Sequence, residues 1–291
     1  MRLSHPERVL YPDEGITKVD VARYYEMVGE LMVPLIEHRP LMLMRCPEGT
    51  AGQCFYQKHS NDKLPKSVSR LDIPEKDGSG EYMYVTGLEG VLTLLNLGSL
   101  ELHTWGARVD RVERPDRVIF DLDPDPSVGW EAVVGTALLM REGLEALGLR
   151  SFAKTTGGKG VHVVVPIVRS RTWEDVVSFS RWFAERIAEA DPGRYTLTMS
   201  KAKRKGRIFI DYLRNARGAT AVEAYSTRAR AGAPVSTPIG WEELGPKLSP
   251  NQWTVANFAR RLKKLKEDPW EGYGSVKQSL TADIMRAVKG A

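Results

Sequence analysis

Cysteine is almost missing: Cys46 and Cys54 are the only two in 291 residues. Two thiols fall far short of a disulfide framework, and no second Cys or His pair at metal-ligand spacing accompanies them, so both are expected to be packing residues. Long apolar runs are missing as well. Charge interrupts each one well before the ~20 residues that a membrane span needs, so no membrane partner is expected. The first residues lack the charged-then-apolar order of a secretory leader, and the expected location is cytoplasmic. There is no internal repeat and no low-complexity segment. Excess charge of one sign is slight: 42 Lys+Arg against 37 Asp+Glu give a net charge of +5, informative only where the basic residues bunch.

A chain of this length can bury a large core, as one big domain or two small ones. Thr17 and Asp20 form a capping-box pattern. Val21, Tyr24, Val28, Leu31 and Leu35 follow at spacings of three and four, which predicts a helix from Thr17 to about Leu35. "RPLMLMR" reads as a strand, 58–80 as an extended loop or hairpin, "GLEGVLTLLNLG" as a buried helix and "LELHTWG" as a strand. A strand, helix, strand unit comes next: "RVIFDLD", a helix from about Trp130 to Leu147, then "SFAKTTGGKGVHVVVPI", two strands around a Gly-rich turn. A helix over 172–190, the strand "GRIFIDYL" and a basic helix near 253–268 complete the reading. Strands and helices interleave, so the fold class is α/β or α+β with a mixed sheet.

Three segments carry chemistry. In "VIFDLDPDP" (118–126) an apolar strand ends in Asp121 and Asp123. Side chains two apart share one face of a strand, so the like charges repel unless one is protonated or a cation sits between them. A structural turn explains this fragment taken alone equally well. "TTGGKGVH" (155–162) adds two glycines for a tight turn, the Thr156 hydroxyl, the Lys159 charge and His162 on the returning strand, which are parts for holding phosphate oxygens. It is not a Walker A loop, because Gly160 stands where Ser or Thr should follow the lysine. A plain Gly-rich hairpin is the alternative. The third segment, "KAKRKGRIFIDYLRNARGAT", sets Lys201, Lys203, Arg204, Lys205 and Arg207 before a strand bearing Asp211, with Arg214 and Arg217 beyond. Three carboxylates from two strands beside a phosphate-grasping loop are the elements of a two-metal site.

"DLDPDP", "TTGGKGVHVVVP", "LELHTWG", "RIFIDYLRN" and "AYSTRAR" resemble the polymerase domain of bacterial and archaeal ligase D, in the archaeo-eukaryotic primase superfamily. The opening "HPERVLYPDEGITKVDVARYY" and "CFYQKH" are similar to the same family, so the resemblance spans nearly the whole chain. It implies one polymerase domain over 1–291, with an N-terminal α/β lobe over about 1–105 and a primase-type catalytic core over about 106–291. It implies two ions, Mn2+ rather than Mg2+, on Asp121, Asp123 and Asp211 as the catalytic metal ligands. His103, Thr156, Lys159, His162, Arg214 and Arg228 become contacts to the incoming nucleotide, with Thr156 where the family usually has Ser. Phe55 and Tyr56 become a stacking platform for template bases, with ordinary core aromatics as the alternative. Arg8 and Lys18 become contacts to a 5′-phosphate at a DNA break, where a loop-to-helix turn and the helix N-terminus would favour an anion.

The implied activity is that of a DNA-repair nucleotidyltransferase acting at gaps and broken ends in non-homologous end joining, with ribonucleotides preferred, in association with the nucleoid. No "KxDG" ligase motif occurs, and "EKDG" at 75–78 has the wrong spacing. The chain is therefore expected to be an excised domain or a stand-alone polymerase, working beside a separate ATP-dependent DNA ligase and Ku. Two rivals remain. A haloacid-dehalogenase-type phosphatase also ends a strand in Asp-x-Asp, but it wants Thr or Val where Asp125 stands and has no use for "GGKGVH". A non-catalytic nucleic-acid-binding module explains the basic run and the aromatic pair, yet leaves three acids in a groove that would repel phosphate.

Overall fold

The computed structural model describes residues 2–60 and 64–290. In chain order the elements are β1 (Val9–Tyr11), β2 (Ile16–Thr17), α1 (Lys18–Ile36), β3 (Leu41–Arg45), β4 (Phe55–Gln57), β5 (Val68–Glu75), β6 (Gly78–Val85), α2 (Leu88–Asn96), β7 (Ser99–Thr104) and β8 (Arg117–Pro124). Then follow α3 (Trp130–Ala146), β9 (Phe152–Thr155), β10 (Val161–Pro166), α4 (Trp173–Ala190), β11 (Tyr195–Thr196), β12 (Ile208–Asp211), β13 (Ala221–Val222), β14 (Thr237–Ile239), α5 (Phe258–Lys264) and α6 (Ala282–Lys289). These divide into two compact units. The first holds 1–110, 220–237 and 251–266, and the second holds 111–219, 238–250 and 267–291.

In the first unit a sheet runs β13-β7-β3-β6-β5, with β4 also paired to β3. The predicted capping box forms: the Thr17 hydroxyl accepts the Asp20 N–H and Asp20 accepts the Thr17 N–H, starting α1. Val21, Tyr24 and Val28 of the predicted stripe are buried, but Leu31 and Leu35 are only half-buried, and Tyr25, Met32 and Ile36 complete the buried face. The 58–80 region contains β5, which forms a hairpin with β6 in continuous register from Val68↔Val85 to Glu75↔Gly78.

The cysteine expectation is overturned, because Cys46 and Cys54 form a disulfide. Strand pairing is the reason. Arg45 faces Phe55 across the antiparallel β3–β4 pair, so the residues one step beyond are brought together with a Cα–Cα separation of 4.4 Å. Spacing of eight in the chain carries no such register until the hairpin is known.

In the second unit the sheet order is β11-β12-β8-β10-β9-β14. The β12–β8, β8–β10 and β10–β9 pairings are antiparallel while β11 and β12 are parallel, so the sheet is mixed. Alternation along the strands sorts the two faces. Phe120, Leu122, Val161, Val163, Ile208 and Ile210 join Val133, Ala137 and Met140 of α3 and Val176, Phe179 and Phe183 of α4 in one buried core. Burying each large apolar side chain stabilises the fold by roughly 1.5–3 kcal/mol. The opposite parity, Asp121, Asp123, His162 and Asp211, is left for the other face.

Two helix readings change. The basic helix is confined to Phe258–Lys264, because Thr254 and Asn257 close a turn ahead of it through the Thr254 N–H and the Asn257 Oδ1 at 2.9 Å. The C-terminal helix α6, capped by Thr281, lies beyond the predicted elements. Among the described residues no helix is long and apolar enough to cross a membrane.

Candidate active site

Register builds the site of the second unit. His162 of β10 faces Asp121 of β8 on one side and Lys154 of β9 on the other, and Asp211 of β12 faces Asp121. Lys154, His162, Asp121 and Asp211 therefore lie in one lane across four strands, and Asp123 shares their face two residues along β8. The fork of Arg214 bridges two of the acids, with Nε 3.3 Å from Asp121 Oδ2 and 3.1 Å from Asp211 Oδ2. Arg204, from the basic segment, puts Nη1 3.1 Å from Asp123 Oδ2 and lies over the Phe209 ring at 3.7 Å.

The three carboxylates differ electrostatically. Burial alone would raise Asp121, but His162, Arg214 and Lys154 outweigh it and hold the carboxyl below the ordinary range. Asp211 is pushed up by burial, which its arginine neighbour only partly offsets, and the Asp121 charge adds to the rise. Asp123 is pushed up by burial and then by Asp121. His162 is pulled down to about 4 by burial and the Lys154 charge. A neutral imidazole follows, with Nε2 3.3 Å from Asp121 Oδ1 and a buried Nδ1 that has no hydrogen-bond partner.

Among the described residues no three His, Cys, Asp or Glu side chains converge as a ready ion cage; arginines occupy the space between the acids. The donor set nevertheless fits hard divalent ions. It consists of carboxylate oxygens on one sheet face, and two of the three groups carry negative charge that their surroundings disfavour.

The Gly-rich turn is fastened to this face. Gly157 has φ +66°, and a Cβ on Gly160 would lie 2.2 Å from the Leu122 carbonyl oxygen, so only glycine lets the turn close against β8 beside Asp121. The Thr156 hydroxyl is engaged within the turn, at 3.2 Å from the Gly160 carbonyl and 3.3 Å from the Gly158 N–H. Lys159 is exposed at the tip, and its charge is felt at Asp123 and Asp125.

Three contributors were not singled out from sequence. Asn215 clamps β8 two residues before Asp121, accepting the Ile119 N–H at 2.8 Å and donating to the Ile119 carbonyl at 2.7 Å. Lys154, 2% exposed, looks like an ordinary polar break in an apolar strand until pairing sets it opposite His162. Arg204 is one of five basic residues in a run, with nothing local to separate it from the others.

The remaining predicted residues belong to the first unit. His103 of β7 puts Nε2 2.8 Å from Glu101 Oε2, and Arg228 puts Nε 3.1 Å from the same oxygen. Phe55 and Tyr56 are 44% and 58% exposed, which removes the core-aromatic alternative. The Tyr56 ring meets His103 edge-on at 6.0 Å, and Arg45 lies 5.6 Å from the Phe55 centroid.

Arg8 and Lys18 are neighbours: the Lys18 N–H donates to the Arg8 carbonyl at 2.8 Å, and burial with the Arg8 charge pulls the Lys18 ammonium down. The start of α1 does not offer its N–H groups to a phosphate, contrary to expectation. The first-turn N–H groups of Lys18, Val19 and Asp20 are already taken by Arg8, Pro6 and Thr17, which leaves the two side chains to act alone. Arg8 donates to the Pro47 carbonyl at 2.8 Å and Lys18 to the Ser4 carbonyl at 2.9 Å.

A family profile described as the LigD primase-polymerase domain matches residues 17–270. The multifunctional non-homologous end joining protein LigD of Pseudomonas aeruginosa is 37% identical over 98% of this chain and 34% of its own length. That of Mycolicibacterium smegmatis is 31% identical over 99% of this chain and 37% of its own length. The chain thus spans little more than a third of these relatives. Among solved structures, the polymerase domain of Mycobacterium tuberculosis ligase D in complex with DNA superposes with a TM-score of 0.86 at 28% identity, covering 93% of this chain and 96% of that one.

Proposed function

Because the chain belongs to the LigD primase-polymerase domain family, we propose that it adds nucleotides to a primer 3′-hydroxyl at DNA gaps and double-strand break ends. The reaction is attack of that hydroxyl on the α-phosphate of a nucleoside triphosphate, with release of pyrophosphate. One observation carries the reading: Asp121, Asp123 and Asp211 share a sheet face with a Gly-rich turn closed against the same strand.

Asp121, Asp123 and Asp211 would hold two divalent ions, Mn2+ or Mg2+. When bound, these lower the pKa of the attacking hydroxyl and neutralise the leaving pyrophosphate. Asp121 serves as an ionised ligand throughout, because its neighbours favour the charged form. His162, neutral and buried, orients Asp121 rather than competing with it for a proton. Arg214, between two of the acids, and Lys159, whose charge reaches Asp123, supply positive charge for the triphosphate, and Thr156 keeps the turn in shape. His103 and Arg228 are further triphosphate contacts. Phe55 and Tyr56, exposed and flat, suit stacking against template bases, and Arg8 with Lys18 suits a 5′-phosphate. The partners are gapped or broken DNA and nucleoside triphosphates, with a ligase and Ku completing repair at the nucleoid.

The test is primer extension on a gapped, 5′-phosphorylated duplex with each nucleotide and each metal in turn. Extension that requires Mn2+ or Mg2+, favours ribonucleotides and stops with chelator is expected. Binding of this DNA without extension under any metal would leave only a nucleic-acid-binding module.

A further inference from the structure

Glu101 is an acid in the middle of a strand with every residue buried, and it is itself 3% exposed. A buried carboxylate costs several kcal/mol unless its charge is met, so its partners define its purpose. Oε1 accepts the Ala229 N–H at 2.9 Å, which ties β7 to the segment bearing Arg228. Oε2 is shared by His103 Nε2 at 2.8 Å and Arg228 Nε at 3.1 Å. Glu101 and His103 are two apart on β7 and so share a face. The Arg228 backbone is fixed independently, its carbonyl accepting the Tyr11 hydroxyl at 2.9 Å and its N–H donating to the Pro234 carbonyl at 2.9 Å. The carboxylate is therefore not needed to hold the Arg228 backbone. What its other oxygen does is hold the two heads at one point.

We infer that Glu101 is a positioning residue for nucleotide binding: one carboxylate oxygen orients the His103 imidazole and the Arg228 guanidinium together and supplies the countercharge that lets both face a polyphosphate. This rests on the reading that His103 and Arg228 contact the triphosphate. Its neighbours hold Glu101 ionised against the effect of burial. The Tyr56 ring beside His103 closes a further edge of the imidazole. Two unanchored heads would each lose rotamer freedom on meeting the ligand, and pre-ordering removes that cost.

Glu101→Gln separates positioning from scaffolding, because the amide keeps an oxygen for the Ala229 N–H while losing the charge. In primer extension with the full chain, the apparent KM for the nucleoside triphosphate should rise about 10- to 100-fold, as the charge that holds the His103 hydrogen bond and the Arg228 ion pair is lost. The kcat should change far less, and gel-shift affinity for DNA should hold. In a His103→Ala/Arg228→Ala background, Glu101→Gln should add nothing. Glu101→Asp, which keeps the charge but shortens the arm by one methylene, covers the case in which the amide variant fails to fold; a raised KM is expected there too. A wild-type KM in a folded Glu101→Gln or Glu101→Asp protein, while His103→Ala and Arg228→Ala raise it, overturns this inference alone. An unchanged KM in His103→Ala and Arg228→Ala overturns the reading beneath it as well.

Discussion

Replacing Asp121 and Asp211 by asparagine should abolish nucleotide addition in both cases yet move stability in opposite directions. Asp121 is 15% exposed and lies within reach of His162 and Arg214, with the Lys154 charge nearby, and its ionised form is favoured in the fold. Neutralising it removes one of the two carboxylates beside Arg214 Nε and the acid charge that Lys154 acts on. Breaking a well-buried pair costs about 3–5 kcal/mol. Arg214 is 40% exposed, which solvent screening discounts, so a loss of about 2 kcal/mol is expected. Asp211 is 13% exposed but its ionised form is disfavoured, because burial outweighs the help of Arg214. At pH 7 its charge is therefore a cost to the fold.

Asparagine removes that cost at Asp211 and keeps an oxygen for the Leu213 N–H, which now bonds Oδ1 at 2.9 Å. Stability should be unchanged or higher by up to about 1 kcal/mol, as when activity and stability trade off. At roughly 2–4 °C per kcal/mol for a protein of this size, thermal unfolding followed by circular dichroism in chelator should show Asp121→Asn lower by about 4–8 °C. Asp211→Asn should be level or a few degrees higher. Equal losses in the two variants would refute the assignment of opposite electrostatic roles.

Glu101 supplies a pH test. Its folded pKa, about 2 against an ordinary 4.5, is depressed, so its stabilisation is fully present above the unfolded value and lost as pH falls toward 2. Glu101→Gln should cost about 3 kcal/mol at pH 7, and urea unfolding should show the gap closing between pH 4.5 and 2; a gap constant with pH contradicts the ion pairing. Lys159→Ala should raise the nucleotide KM more than it weakens DNA binding, and a parallel fall in gel-shift affinity would assign the turn to DNA; His162→Ala, which removes the group that orients Asp121, should lower kcat instead. Arg8→Ala/Lys18→Ala should erase the preference of gapped DNA for a 5′-phosphate over a 5′-hydroxyl, worth roughly 1.5–3 kcal/mol. An equal loss on both DNAs would indicate general electrostatics instead.

The far half of the buried α1 stripe shifts by one residue, from Leu31 and Leu35 to Met32 and Ile36, but period and capping make the bounds of the helix readable to within a residue through Thr17 and Asp20. The same holds for β8, where alternation alone sets Asp121 and Asp123 on one face. What could not be read locally depends on register. The neighbours of Asp121 follow from β10 inserting beside β8, a pairing that two strands around a turn do not specify. Lys154 gains meaning only from its place opposite His162, and Cys46 meets Cys54 only because β3 and β4 pair. Glu101 was in plain view two residues from His103 in "LELH", and a period-two reading of that strand would have found it. The free N–H groups expected at the start of α1 are spent on Arg8, Pro6 and Thr17, a consequence of how the preceding loop folds back.

The most direct measurement of the central claim is the ratio of pyrophosphate released to primer lengthened, on a gapped 5′-phosphorylated duplex with divalent metal and a single nucleoside triphosphate. A one-to-one ratio that disappears with chelator and with Asp123→Ala is the predicted result. Release of inorganic phosphate without primer growth, or DNA binding with neither product, would contradict it.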